Sequence, residues 1–240
     1  MQRFVISLAL LLPSLYAQAY VGVRSLHQVV NDSDAIYIAK VIEISEYKSY
    51  KIAKAQVHEI LKGPRYENVF YLASSTWNCD ISHAELGDDV VLMLYENADR
   101  IIFDLDKYME AEFSSNLSPA EALRRSETQL PLANTNSERF YELAFSGRGY
   151  IQISADDTSR RVEVTDDLFL PDDMKSQKSK LGYGYVSADL NEFIAVVKDA
   201  VARPDTSDNR YAWFREWPQR LKEMEKEEAL QTASTLRHGR

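Results

Sequence analysis

Four strand-like runs follow one another between Asp34 and Asp99 with no helical period between them, and this succession constrains the chain more than any other feature. They read DAIYIAKVIEIS, KIAKAQVHEILKG, NVFYLAS and GDDVVLMLY. Strands in such close order form an antiparallel meander whose edges must be hidden, and curling into a small barrel hides them. In the first run Ile36, Ile38, Ile42 and Ile44 share one face, Lys40 interrupts it, and Ala39 and Val41 continue on the other face. A bulge near Ala39 is therefore expected to bend this strand. In the second, Ala53, Ala55 and Val57 alternate with Lys54, Gln56 and His58, which makes one face buried and one wet. Lys62, Gly63 and Pro64 turn the chain afterwards.

The N-terminal residues 1–19 combine a lone Arg3, an apolar run from Phe4 to Leu15 and the small-x-small trio Ala17, Gln18, Ala19. That is the layout of a secretory signal peptide, and the run is too short for a membrane span. Cleavage near Ala19 would leave Tyr20 at the mature N-terminus, with the protein exported to a periplasm or secreted. Loss of Arg3 would take the formal net charge from −9 to −10. A chain this acidic repels nucleic acid and anionic lipid at long range, so a protein or small extracellular ligand is the expected partner. No stable membrane insertion is expected. Cys79 is the only cysteine, which excludes an internal disulfide and leaves stability to packing.

Around the meander, Leu26, Val29 and Val30 have helical spacing and predict a short helix that plugs one end of the barrel. Ile101, Ile102, Phe103 and Leu105 suit a fifth strand, and YMEAEFSSN after them shows no firm period. Ser118, Pro119 and Glu121 form a capping box that starts a helix. SGRGYIQIS and RRVEVTD alternate around the turn ADDTS as a hairpin, after which Ser187 is expected to cap a helix with the apolar stripe Leu190, Phe193, Ile194, Val197 and Val201. The fold expected is α+β: a small OB-like antiparallel barrel with flanking helices over 20–145, a hairpin and helix unit over 146–205, and a charged helical tail over 206–240. In that tail Trp213, Trp217, Leu221 and Met224 make an apolar edge that needs cover from the same chain or from a partner.

A short helix, the strand SDAIYIAKVIEI, the ending A-x-V-x-E-I-L-K-G, and Cys79 eight residues before the Gly87 that opens VVLMLY together resemble the exported OB-fold module of the tissue-inhibitor-of-metalloproteinases and netrin-like class. The resemblance covers about residues 25–99 and implies a barrel fold and export. In the inhibitors of that class an N-terminal cysteine chelates the protease's zinc and disulfides hold it in place. This chain would begin at Tyr20 and has one cysteine, so inhibition by that route is not carried over.

No catalytic residue, metal site or cofactor is assigned. No serine lies in a G-x-S-x-G elbow, and Cys79 with His83 four residues later would be a dyad within one loop, whereas catalytic pairs come from separate elements. His27, His58, His83 and His238 are scattered, and the acidic doublets Asp156–Asp157, Asp166–Asp167 and Asp172–Asp173 match no calcium-loop pattern. Surface recognition remains. Small OB barrels bind on strands two and three and on the adjoining loops, and here Tyr47 and Tyr50 in SEYKSYK and Trp77 and Asn78 after the third strand are the candidate binding residues. The sequence thus predicts an exported non-catalytic binding protein. The alternative is an exported hydrolase or other enzyme whose residues meet only in three dimensions.

Overall fold

A computed structural model describes residues 24–48, 50–73, 84–114, 117, 119–130, 139–145, 147–155 and 159–204. The expected signal peptide, Trp77, Asn78, Cys79, His83, the Ser118 cap, the tip of the ADDTS turn and the tail with Trp213 and Trp217 lie outside these residues.

Two residues, β1 (Arg24–Ser25), lead into α1 (Leu26–Asp32). Ser25 caps this helix in a reciprocal box: its hydroxyl accepts from the Gln28 N–H at 3.2 Å, and the Gln28 side chain accepts from the Ser25 N–H at 3.0 Å. At the other end the Lys62 ammonium donates to the carbonyls of Val30 and Asn31 at 2.8 and 2.9 Å, satisfying acceptors that a helix C-terminus leaves open. Next come β2 (Ala35–Tyr47), β3 (Tyr50–Lys62), β4 (Asn68–Leu72), β5 (Asp89–Glu96), the pair β6 (Ile101–Phe103) and β7 (Glu127–Gln129) with α2 (Leu105–Ser114) and α3 (Pro119–Ser126) between them, and β8 (Phe140–Leu143). The chain continues through β9 (Tyr150–Ala155), β10 (Arg160–Thr165), β11 (Leu168–Phe169), β12 (Ser176–Lys178), β13 (Tyr185–Asp189) and α4 (Leu190–Ala202).

β2, β3, β4, β8 and β5 form a closed five-stranded barrel. Its neighbours are antiparallel except β4 and β8, which run parallel, and β8 closes the ring by pairing with β5. The interior draws on all five strands: Ala35, Tyr37, Ala39 and Val41; Ala53 and Ala55; Val69 and Tyr71; Val90, Leu92 and Leu94; Tyr141 and Leu143. Alternation of alanine with tyrosine and leucine fills a lumen too narrow for large side chains at every position. The β2 ladder slips between Ile38 and Ala39, where the sequence predicts a bulge, and again on either side of that point. At the β3–β4 turn, Gly63 has φ +93°, and a β-carbon there would lie 2.9 Å from the Asp34 carbonyl, so only glycine lets the turn close against β2.

The Tyr71 hydroxyl is buried in this lumen without a hydrogen-bond partner, and burial pushes its pKa up. An unsatisfied buried hydroxyl costs free energy that a phenyl ring of the same shape does not. Tyr71→Phe should therefore stabilise the protein by about 1 kcal/mol, seen as a higher urea midpoint at unchanged slope. A lower midpoint would show that the hydroxyl is satisfied in solution.

The outer face of the same wall is also buried. Ile36 and Ile38 of β2 and Val91 and Met93 of β5 lie under Leu26, Val29 and Val30 of α1 and Leu190, Phe193, Val197 and Ala200 of α4. The first helix is thus not a plug in the barrel mouth: its apolar residues belong to this outer core and not to the lumen.

β9 extends the sheet past the barrel. Along one edge of β5 the second half pairs with β8 and the first half with β9, so β8 and β9 are one strand broken by residues 145–148. Met93 holds both ends of the break: its carbonyl accepts from the Ala144 N–H and its N–H donates to the Gly149 carbonyl, each at 2.8 Å. Phe145 turns out of the ladder with φ 51°, and its ring lies between the Arg24 and Arg148 guanidinium groups at 5.9 and 5.4 Å. Asp32 and Asp167 neutralise the two arginines. β9 and β10 form the expected hairpin, and β13 and β12 continue the sheet outward.

Three expectations are corrected. The fifth barrel strand is β8; Ile101–Phe103 instead pairs with β7 in a separate two-stranded sheet. YMEAEFSSN overlaps α2, whose Tyr108 and Ala111 pack on Ala122 of α3. Ser187 lies buried within β13, and Asp189 is the cap of α4, accepting from the N–H groups of Asn191 and Glu192 at 2.8 and 3.0 Å.

Candidate binding groove

The bulged half of β2, the outer face of β3 and the start of α4 enclose a groove of about 680 Å³. Its floor is apolar, made by Ile38 of β2 and Leu190 and Ile194 of α4. Its rim is charged: His58 and Glu59 come from β3, Asp89 from the first position of β5, Arg160 from the first position of β10, and Asp189 from the end of β13. The register explains the convergence. Lys40 faces Asp89 across the β2–β5 ladder, and Arg161 faces Asp189 across the β10–β13 ladder, so the ends of two strand pairs meet beside the helix start.

Two of the three rim carboxylates already have structural work. Asp189 caps α4, and Glu59 accepts from the Lys198 ammonium at 2.9 Å, a pair exposed enough to contribute at most about 1 kcal/mol. The groove can seat an apolar side chain on Ile38, Leu190 and Ile194, beneath a rim of mixed charge in which Asp89 and Arg160 are the groups of opposite sign. Among the described residues no group of three or more histidine, cysteine, aspartate or glutamate side chains is placed to hold a metal ion.

The binding residues expected from sequence fall elsewhere. SEYKSYK is not an open loop: β2 runs to Tyr47, β3 resumes at Tyr50, and Lys48 turns between them with φ 54°. Tyr47 is half-buried, and Tyr50 is buried with Ile52, Leu72, Ile102, Leu130 and Phe140. The Tyr50 hydroxyl donates to Asp104 Oδ2 at 3.0 Å and accepts from Lys107 Nζ at 3.2 Å, and the ammonium lies 5.3 Å from the ring centroid. Burial opposes ionisation of Asp104, but hydrogen bonds from Lys107 and Tyr50 outweigh it and hold the carboxyl below its usual range. The same contacts, led by the Asp104 hydrogen bond, raise Lys107. Tyr50 therefore fastens the β6–β7 insertion to the barrel. Trp77 and Asn78, and the tail anchors Trp213 and Trp217, lie outside the described residues.

Of the groove residues, sequence reading noted His58 only as one scattered histidine, and Glu59 only within the strand ending. Nothing local marks either, because most of the residues that join them in the groove lie one hundred or more positions later. Of the acidic doublets, Asp167 pairs with Arg148, while Asp172 and Asp173 are exposed.

No protein-family model matches the chain, and a search of curated proteins finds no match. No helix among the described residues is long and apolar enough to cross a membrane. What fold and groove define is a mixed α+β protein built on a closed five-stranded barrel.

Proposed function

We propose that this protein is an exported, non-catalytic binding protein on an OB-like barrel, and that its groove takes a partner segment anchored by an apolar side chain. The barrel strands, numbered in chain order, follow the ring 1-2-3-5-4 with the third and fifth parallel, which supports the OB-like reading and agrees with the resemblance to the netrin-like class. Export rests on the order of Arg3, apolar run and Ala17-Gln18-Ala19. The observation that carries binding is the groove itself: an apolar floor under a charged rim, within the size range of ligand sites.

Fluorescence anisotropy with labelled peptides that carry charged residues of either sign around a single leucine tests this reading. Ile194→Arg places a cation on the floor and should weaken binding by about tenfold or more while leaving the thermal midpoint nearly unchanged, because Ile194 is only half-buried. Peptides that fail to bind, or bind the variant equally well, would refute it.

A further inference from the structure

We propose that the segment bound in the groove is extended and mixed in charge, with a cation and an anion two residues to either side of its apolar anchor, a specificity that rests on the groove's being the binding site. Asp89 and Arg160 would select it. Both line the groove. Glu59 is engaged with Lys198 and Asp189 caps α4, whereas Asp89 and Arg160 make no ion pair or side-chain hydrogen bond among the described residues. Lys40, opposite Asp89 across the β2–β5 ladder, is exposed and forms no ion pair with it. A half-buried carboxylate and an arginine thus share one rim, each without a counter-charge.

Strand register fixes how far apart they stand. Val90 faces Gln152, so Asp89 is level with Ile153 of β9, and Ile153 in turn faces Val162 of β10. Arg160 lies two residues before Val162 and Asp89 two before Val91, so both belong to the outer face that carries Val91, Ile153 and Val162. Two strand spacings across the sheet and two residue rises along it put about 12 Å between their backbones.

An extended segment has the same spacing. Side chains two positions before and two after an anchor share its face, and their backbones stand about 13 Å apart. With the anchor on Ile38, Leu190 and Ile194, a flanking cation meets Asp89 and a flanking anion meets Arg160. A uniformly basic segment would instead set a cation against Arg160, and a uniformly acidic one an anion against Asp89. Each therefore carries one repulsion that the mixed segment lacks.

The test is a set of anisotropy titrations at low ionic strength with four end-blocked, labelled peptides: Lys-Ser-Leu-Ser-Glu, and versions with two lysines, two glutamates or two serines at its outer positions. The mixed peptide should bind about fivefold or more tighter than either like-charged one, a margin that shrinks with added salt. The net charge of −9 by itself would favour the two-lysine peptide, so a preference for the mixed one isolates the two rim residues. Arg160→Asp, at an exposed position, should move the preference to the two-lysine peptide. Asp89→Lys should move it to the two-glutamate peptide, and the double exchange should restore the mixed one. A two-lysine peptide that binds the parent as tightly as the mixed one, or preferences that ignore the exchanges, would overturn the charge assignment, while binding of the two-serine peptide would leave the groove standing. Binding by none of the four would overturn both.

Discussion

Gly149→Ala should destabilise the protein by about 3 kcal/mol or more, among the largest effects of any single methyl addition to this chain. A β-carbon at position 149 would stand 2.3 Å from the Met93 carbonyl oxygen and 2.9 Å from the Ala144 nitrogen. Neither atom can move away alone. Both belong to the hydrogen-bonded link by which Met93 clasps the two ends of the broken strand, so the methyl group must open either the β5–β8 or the β5–β9 pairing. Equilibrium denaturation of the variant beside the parent measures the loss. A change below about 1 kcal/mol would mean that the strand break is not held as described.

Phe193→Ala should cost about 3–5 kcal/mol, by removing a fully buried ring and leaving a cavity that its neighbours cannot fill. Phe193 sits at the centre of the α4 stripe, in the core that also contains Met93 and Val162. These come from different strands of one hydrogen-bonded sheet, which limits collapse into the space. Phe193→Leu should recover most of the loss, and urea unfolding of the pair separates cavity cost from any change in the helix itself. Equal losses in both variants would point to the helix rather than to the cavity.

The elements most legible in the sequence are those whose cause is local. The period-two pattern of Ala53 and Ala55 announces β3 and names its buried face, and the stripe Leu190, Phe193, Val197 announces α4. Where pairing decides, local pattern misleads. Ile101–Phe103 is more apolar than Phe140–Leu143, yet the latter closes the barrel because it can lie parallel to β4 and antiparallel to β5 at once. α2 hides because its contact with α3 rests largely on alanines, Ala111 and Ala122, which carry little signal in a hydrophobic pattern. Ser187 and Asp189 are equally good caps on paper, and only the length of β13 chooses between them. Tyr50 illustrates the same limit from the side of function: an aromatic in a polar stretch reads as a recognition residue until the insertion that covers it is known. The groove was the least legible part, since its floor and rim come from β2, β3, β5, β10, β13 and α4 and no two of its groups form a motif.

β5 is a wall of the closed barrel and also the first strand of the open sheet, and its alternate residues serve two cores, Val90, Leu92 and Leu94 inside and Val91 and Met93 outside. Removing that strand deprives both cores together, and neither can be opened along it without fraying the other. Barrel and extension are thereby made thermodynamically indivisible along this seam: an excursion that frees β5 is a global event rather than a local one. The amides of Val90 to Leu94 would accordingly exchange with solvent only through complete unfolding, while the short outermost strand β12 can open and reclose without consequence for either core.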